Sequence, residues 1–225
     1  MRRLLREILA SVCAGSPLRR VICWRGPRNR RAVALTFDDG PRGESTLAIL
    51  AILRGAGVRA TFFLEGRWIE KDPALVARIA AEGHEIGNHA YEHGAGGLRA
   101  QVERCTRLMS EQGLRTRWFR PPLGRLGVGD LLWLARRGHR TVLWSFDTHD
   151  SMRHEGKWNG APPDYAAIRP GDIILMHDDN PVCRAELPLV LEQLARRNIG
   201  CVTLSGLLAV AGNEHDYRQD PPRHR

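Results

Sequence analysis

The chain is poor in lysine: Lys71 and Lys157 are the only two among its 34 basic residues. Genome base composition suffices to explain that bias, so it excludes nothing by itself. Long apolar runs are also missing. No stretch approaches the roughly 20 residues of a membrane-spanning helix, which excludes such a helix from this sequence. The five cysteines, Cys13, Cys23, Cys105, Cys183 and Cys201, are odd in number and contain no Cys-x-x-Cys pair. They neither require an oxidising compartment nor resemble metal ligands, and reduced thiols in the cytoplasm are expected. Zinc-finger spacing and other nucleic-acid motifs are lacking, so nucleic acid is not an expected partner. There is no internal repeat.

At 225 residues the chain reads as one domain with short extensions. Its net charge of +9 is unevenly placed: residues 1–31 hold nine arginines against Glu7, a balance of +8. The basic character therefore belongs to an N-terminal arm rather than to the body. Within the arm, Leu4, Leu5, Ile8, Leu9 and Val12 fall on one helical face and Arg2, Arg3, Arg6 and Glu7 on the other. That pattern suits peripheral contact with an anionic membrane surface. It equally suits a helix capping the domain. Arg6 and Glu7 interrupt any secretory core, so a cytoplasmic protein is expected, peripheral on the inner face of the membrane if the arm binds lipid. Residues 212–225 read as a polar tail, expected to be mobile.

Between these ends, strands and helices alternate, which points to an α/β fold with a mostly parallel sheet. Strands are predicted over 32–37, 59–64, 84–88, 117–120, 141–146, 172–177 and 199–204. Helices are predicted over 44–55, 72–82, 98–112, 127–138, 185–197 and 205–211. Asp72-Pro73 is a helix start, and Gly57, Gly83, Gly113 and Gly138 stand where left-handed helix caps belong. Segment 151–170 reads as a long loop. Periodicity alone does not separate a barrel from an open doubly wound sheet.

The chemistry is concentrated in few residues. Val33, Ala34, Leu35 and Phe37 describe an interior strand, and it ends in Asp38 and Asp39. Two adjacent carboxylates leaving a buried strand repel each other and are poorly solvated, so a cation or a proton relay has to use them. A second short apolar strand leads into His89 and His93, spaced His-x3-His. Two imidazoles and one carboxylate make an open catalytic metal site with a position left for water.

Five ordered motifs resemble the polysaccharide deacetylases, the family-four carbohydrate esterases that include the nodulation-factor chitooligosaccharide deacetylases. They are Thr36-Phe37-Asp38-Asp39-Gly40-Pro41, Gly83 to His89 with His93, Arg120-Pro121-Pro122-Leu123-Gly124, Asp147-Thr148-His149-Asp150 and Leu175-Met176-His177. The resemblance runs from Ala32 to Leu208. It implies a distorted, incomplete (β/α) barrel of about seven parallel strands over 32–211. It implies one divalent cation, zinc or another such as cobalt, on Asp39, His89 and His93. Asp38 would be the general base and His177 the acid that protonates the leaving amine. Arg120 would orient Asp38, and Asp150, or alternatively Asp147, would orient His177. Leu175, Pro122 and Trp158 are candidate substrate-binding residues.

The implied activity is metal-dependent removal of an N-acyl group, in the first instance acetyl, from an amino sugar in a polysaccharide, oligosaccharide or glycolipid. Two rivals stand beside it: an amidohydrolase of the same fold acting on a small non-sugar substrate, and a catalytically idle binding protein. Three departures from the motifs keep the first rival open. Ala90 and Gly94 replace a hydroxyl residue and a proline near the histidines, and Ser151 replaces a tryptophan that helps wall the acyl pocket. Asp178 and Asp179 form a second acidic pair and read as loop-capping residues.

Overall fold

A computed structural model describes residues 21–94 and 96–209. The amphipathic stretch from Arg2 to Val12 and the tail from 212 lie outside these residues. Among the described residues nine strands form one sheet, with every neighbouring pair parallel. They are β1 (Ile22–Cys23), β2 (Ala32–Gly40), β3 (Thr61–Leu64), β4 (Glu85–Asn88), β5 (Trp118–Phe119), β6 (Arg140–Val142), β7 (Phe146–Asp147), β8 (Ile173–His177) and β9 (Gly200–Val202). Their order is β1-β6-β5-β4-β3-β2-β8-β7, with β9 paired to the first residues of β2.

The helices are α1 (Glu44–Gly55), α2 (Gly66–Lys71), α3 (Pro73–Ala81), α4 (Leu98–Glu111), α5 (Val128–Arg136), α6 (Asp150–His154), α7 (Pro181–Arg196) and α8 (Leu204–Leu208). Local chemistry sets several of these starts. Asp72 accepts from the backbone N–H of Leu75 with Pro73 at the first helical position. Asn180 does the same for Cys183 ahead of Pro181, so α7 begins four residues before the sequence expectation. Gly57, Gly83, Gly113 and Gly138 carry positive φ after their helices, as the caps require.

The alternation of β2 sorts its side chains between two cores. Val33, Leu35 and Phe37 pack outward with Ile49, Leu50 and Leu53 of α1 and Leu187 and Val190 of α7. Ala34 faces inward with Phe63, Trp118, Val142 and Ile173. Each fully buried large apolar side chain contributes about 1.5–3 kcal/mol. Thr36 and Asp38 share the inward face of Ala34, which places polar groups inside the curve of the sheet.

That curve follows from one connection. The apolar run 141–146 reads as a single strand, but it is two. β6 pairs with β5 and β1, whereas β7 pairs with β8 at the other end of the strand order. Only Leu143, Trp144 and Ser145 join them, a reach of at most about 14 Å from Val142 to Phe146. The two ends of the sheet must therefore nearly meet, giving a curled, incomplete barrel. Between them, the N–H of Gly26 donates to the carbonyl of Gly171 at 2.7 Å, and Arg25 Nε bonds Asp172 Oδ1 at 2.9 Å.

This seam corrects the boundary of the arm. Residues 21–31, grouped with it on charge, belong to the body. Ile22–Cys23 is a strand, and Cys23 is buried. Arg30 bonds the carbonyl of Gly206, and Arg31 bonds those of Arg197 and Asn198. These arginines are absorbed by carbonyl groups of the domain. Among the described residues no helix is long and apolar enough to cross a membrane.

Candidate active site

The motif residues gather at the carboxyl ends of the strands, where parallel α/β folds place their ligands. Asp38 and Asp39 end β2, His89 follows β4, Arg120 follows β5, Asp150 follows β7 and His177 ends β8.

Consecutive strand residues normally point to opposite faces. Asp38 and Asp39 escape this because Asp39 has φ 72° and the pairing of β2 with β3 shifts register between Asp38 and Gly40. Both carboxylates thereby reach His89: its Nε2 lies 3.7 Å from Asp38 Oδ2 and 3.3 Å from Asp39 Oδ1. His93 Nε2 lies 3.1 Å from the same Asp39 oxygen and 3.0 Å from His89 Nε2.

His89 is buried, and its Nδ1 donates to the carbonyl oxygen of Arg120 at 2.7 Å. A carbonyl only accepts, so Nδ1 carries the proton and the Nε2 lone pair turns to the carboxylates. Asp39 Oδ1 is buried and lacks an aligned hydrogen-bond donor. Asp39, His89 and His93 thus offer three donor atoms converging on one point. Donors about 2.0–2.2 Å from a tetrahedral cation stand roughly 3.3 Å apart, so the set fits a divalent ion such as zinc. Burial disfavours charge on Asp39, but the two imidazoles outweigh it and hold its carboxyl well below the usual range. Burial likewise opposes charge on His89, and Asp38 and Asp39 overcome it, raising that imidazole.

The histidine loop is held without the missing hydroxyl and proline. Asn88 accepts from the N–H of Ala90 and donates to Val102 and Thr106 of α4. The first N–H groups of α2, at Gly66 and Arg67, bond the carbonyls of Ala90 and Tyr91 at 2.9 and 3.0 Å.

Asp38 is oriented by Arg120, which is wholly buried. Its Nη1 lies 2.8 Å from Asp38 Oδ1 and 2.8 Å from Thr36 Oγ1, while Nε and Nη2 bond the carbonyls of Val142 and Leu143. The guanidinium lies 4.2 Å over the ring of Phe63. Burial lowers its pKa and the Asp38 charge opposes that shift.

His177 is the register partner of Asp38 across β8 and β2. Its Nδ1 meets Asp150 Oδ1 at 2.9 Å, which leaves Nε2 for substrate. Asp150 is fully buried and also accepts from the His177 N–H, Asn180 and Thr148. Burial opposes the charge on His177, but Asp150 dominates and raises its pKa to about 10. Burial would raise Asp150 as well, and its hydrogen bonds, first that from His177, bring it below its ordinary value. The alternative partner is set aside by geometry: Asp147 accepts from Trp144 Nε1 and from the N–H of His149.

The substrate-binding candidates divide. Leu175 is buried on β8, two residues before His177. Pro122 lines a groove of about 630 Å³ beside His93, together with Leu98, Leu123 and Arg125. Trp158 stands apart, stacked on His149 at 3.9 Å between centroids, so one ring face is already covered. Asp178 is not a loop cap; Asn180 caps α7. Asp178 is buried against Gly40, accepts from Thr46, and burial pushes its carboxyl up to about 8.

Sequence reasoning missed Thr36, Thr148, Asn180 and Glu65. Glu65 follows β3 as the other candidates follow their strands, but that position alone does not separate it from an ordinary acid.

A family model described as polysaccharide deacetylase matches residues 25–142. A peptidoglycan-N-acetylglucosamine deacetylase of Bacillus cereus is 38% identical over 167 residues, covering 68% of this chain and 58% of that protein. A crystal structure of a peptidoglycan N-acetylglucosamine deacetylase bound to an N-hydroxybenzamide superposes with TM-score 0.76 at 32% identity, covering 86% of this chain and 97% of the other. A Bacillus anthracis protein described as a family-four pseudoenzyme has TM-score 0.72 at 27% identity, covering 84% and 69%. A shared fold therefore does not by itself carry activity.

Proposed function

Since the chain belongs to the polysaccharide deacetylase family, whose named members here are hydrolases of carbon–nitrogen bonds, we propose that it removes the N-acetyl group from an amino sugar within a polysaccharide or oligosaccharide. The observation that carries this reading is the placement of Asp38 and His177 as register partners beside the convergent Asp39, His89 and His93.

A divalent cation held by Asp39, His89 and His93 would polarise the amide carbonyl and acidify the attacking water. Asp38, held by Arg120, takes the proton of that water as the oxygen bonds to the carbonyl carbon. His177 gives its Nε2 proton to the amide nitrogen as the C–N bond breaks, releasing acetate and a free amine. The Asp150 contact keeps the imidazole charged until that step. Leu175 borders the acyl group.

The groove beside His93 favours a sugar chain over a small amide. Its volume of about 630 Å³ exceeds what one acetamido group needs, and its mixed polar and apolar wall suits a pyranose ring.

Cation-loaded protein should be offered N-acetylated chitooligosaccharides, peptidoglycan fragments and small aliphatic amides, with products read by mass spectrometry. Loss of about 42 mass units from a sugar supports the reading. Turnover of small amides alone would transfer the site to the non-sugar reading, and turnover of nothing would return it to the idle one.

A further inference from the structure

Glu65 follows β3, the strand that neighbours β2, and its role differs from that of an ordinary helix-start residue. Its side chain is fully buried. One carboxylate oxygen, Oε2, is ion-paired with Arg67 Nε at 2.7 Å. The other, Oε1, is buried with no hydrogen-bond donor among the described residues and lies 3.6 Å from His93 Nε2. That nitrogen is the atom His93 directs at Asp39 and His89. A buried carboxylate oxygen left without a donor is costly, because it has given up its water without a replacement. It is tolerated where something absent from the protein itself supplies the partner.

The backbone shows that this placement is built. The N–H of Glu65 donates to the carbonyl of Gly40 at 3.0 Å, just beyond Asp39. The next two N–H groups hold the loop between His89 and His93. Glu65 is thus tied to both chain segments that provide the cation ligands.

We propose that Glu65 is a positioning residue of the cation site: its Oε1 places a second carboxylate charge beside the Asp39–His89–His93 set and strengthens divalent-cation binding from the His93 side. The inference rests on the cation site of the proposed function. The partner its chemistry fits is a divalent cation that retains a hydrogen-bonding water, because Oε1 faces the ligand atoms without being one of the three that converge.

The test uses the full chain, freed of metal, and measures zinc and cobalt affinity by competition with a chromophoric chelator at neutral pH. Glu65→Gln keeps the shape and removes the charge. Its dissociation constant should rise at least about tenfold, with a shift in the visible spectrum of bound cobalt. Arg67→Ala is the structural control: it breaks the Oε2 ion pair but leaves the Glu65 charge, and should keep cation affinity within about twofold of native. Equal affinity in the native protein and Glu65→Gln overturns the inference while leaving the cation site standing. Failure of the native protein to bind either cation overturns both. Should Glu65→Gln not fold, Glu65→Asp carries the test, since it draws the oxygen back by one methylene. Weaker binding with an unchanged unfolding midpoint of the cation-free protein is then expected, and unchanged binding overturns the proposal.

Discussion

The carbonyl oxygen of Arg120 accepts the Nδ1 proton of His89 at 2.7 Å, while the guanidinium of the same residue holds Asp38 at 2.8 Å. One residue therefore fixes the tautomer of a candidate cation ligand with its backbone and orients the candidate base with its side chain. The two functions are separable by mutation, because side-chain changes leave the carbonyl in place.

Arg120→Lys should lower kcat about 10²-fold with cation affinity little changed. Lysine offers a point charge where the guanidinium makes directed bonds to Thr36, Asp38, Val142 and Leu143. Arg120→Ala should go further and destabilise the fold by about 3–5 kcal/mol, since it leaves Asp38 buried and uncompensated. Steady-state kinetics and chelator competition check the first, and urea unfolding checks the second. A Lys variant with native kcat would sink the orienting role.

Chelator treatment should abolish activity, and one equivalent of zinc or cobalt should restore it. The double variant His89→Ala/His93→Ala should lose both responses. Elemental analysis of protein purified without chelator reads the stoichiometry; an undiminished metal content in the double variant would place the cation elsewhere.

His177 binds its proton more tightly folded than unfolded, because Asp150 overcomes the effect of burial. The stability this contributes is complete below the unfolded value of about 6.5 and is lost as pH rises through about 10. The unfolding midpoint of cation-free protein should fall across that window, and the fall should shrink in His177→Gln. In the loaded enzyme the basic limb of kcat should lie below 10, since a bound cation offsets the contributions of Asp39 and Asp38. Asp150→Asn should move that limb lower still. A pH–rate profile unchanged by Asp150→Asn would remove Asp150 from the role.

Gly87→Ala should cost about 1–3 kcal/mol by overpacking. Its new Cβ would stand 2.5 Å from the ring of Phe63, the ring on which Arg120 rests. Denaturant unfolding measures the cost, and a parallel loss of kcat would report the displaced guanidinium. Unchanged stability would mean that the ring can move aside freely.

Much of this arrangement was legible in the sequence because strand ends and motifs coincide. The interior run before Asp38 and Asp39 gave a strand ending in chemistry, and the His-x3-His spacing gave two imidazoles within reach of it. Three features were not legible. The run 141–146 is mostly apolar and holds no glycine or proline, so no turn residue marks the break at which the chain passes from one end of the sheet to the other. α2 has six residues, too few for a helical period to declare itself. Glu65 looks like an ordinary acid after a strand, and only its burial beside His93 distinguishes it.

The left-handed conformation of Asp39 has a further consequence for how this chain tolerates change. Asp38 and Asp39 are chemically identical, so the division into base and ligand proposed for them rests on a backbone angle rather than on a side chain. Aspartate and asparagine enter that region more readily than most residues, and β-branched residues resist it. A substitution at 39 therefore tests conformation and coordination together, whereas one at 38 tests chemistry on an ordinary strand. Evolutionary drift at the two neighbouring positions would be constrained by different physics, even though the same amino acid occupies both.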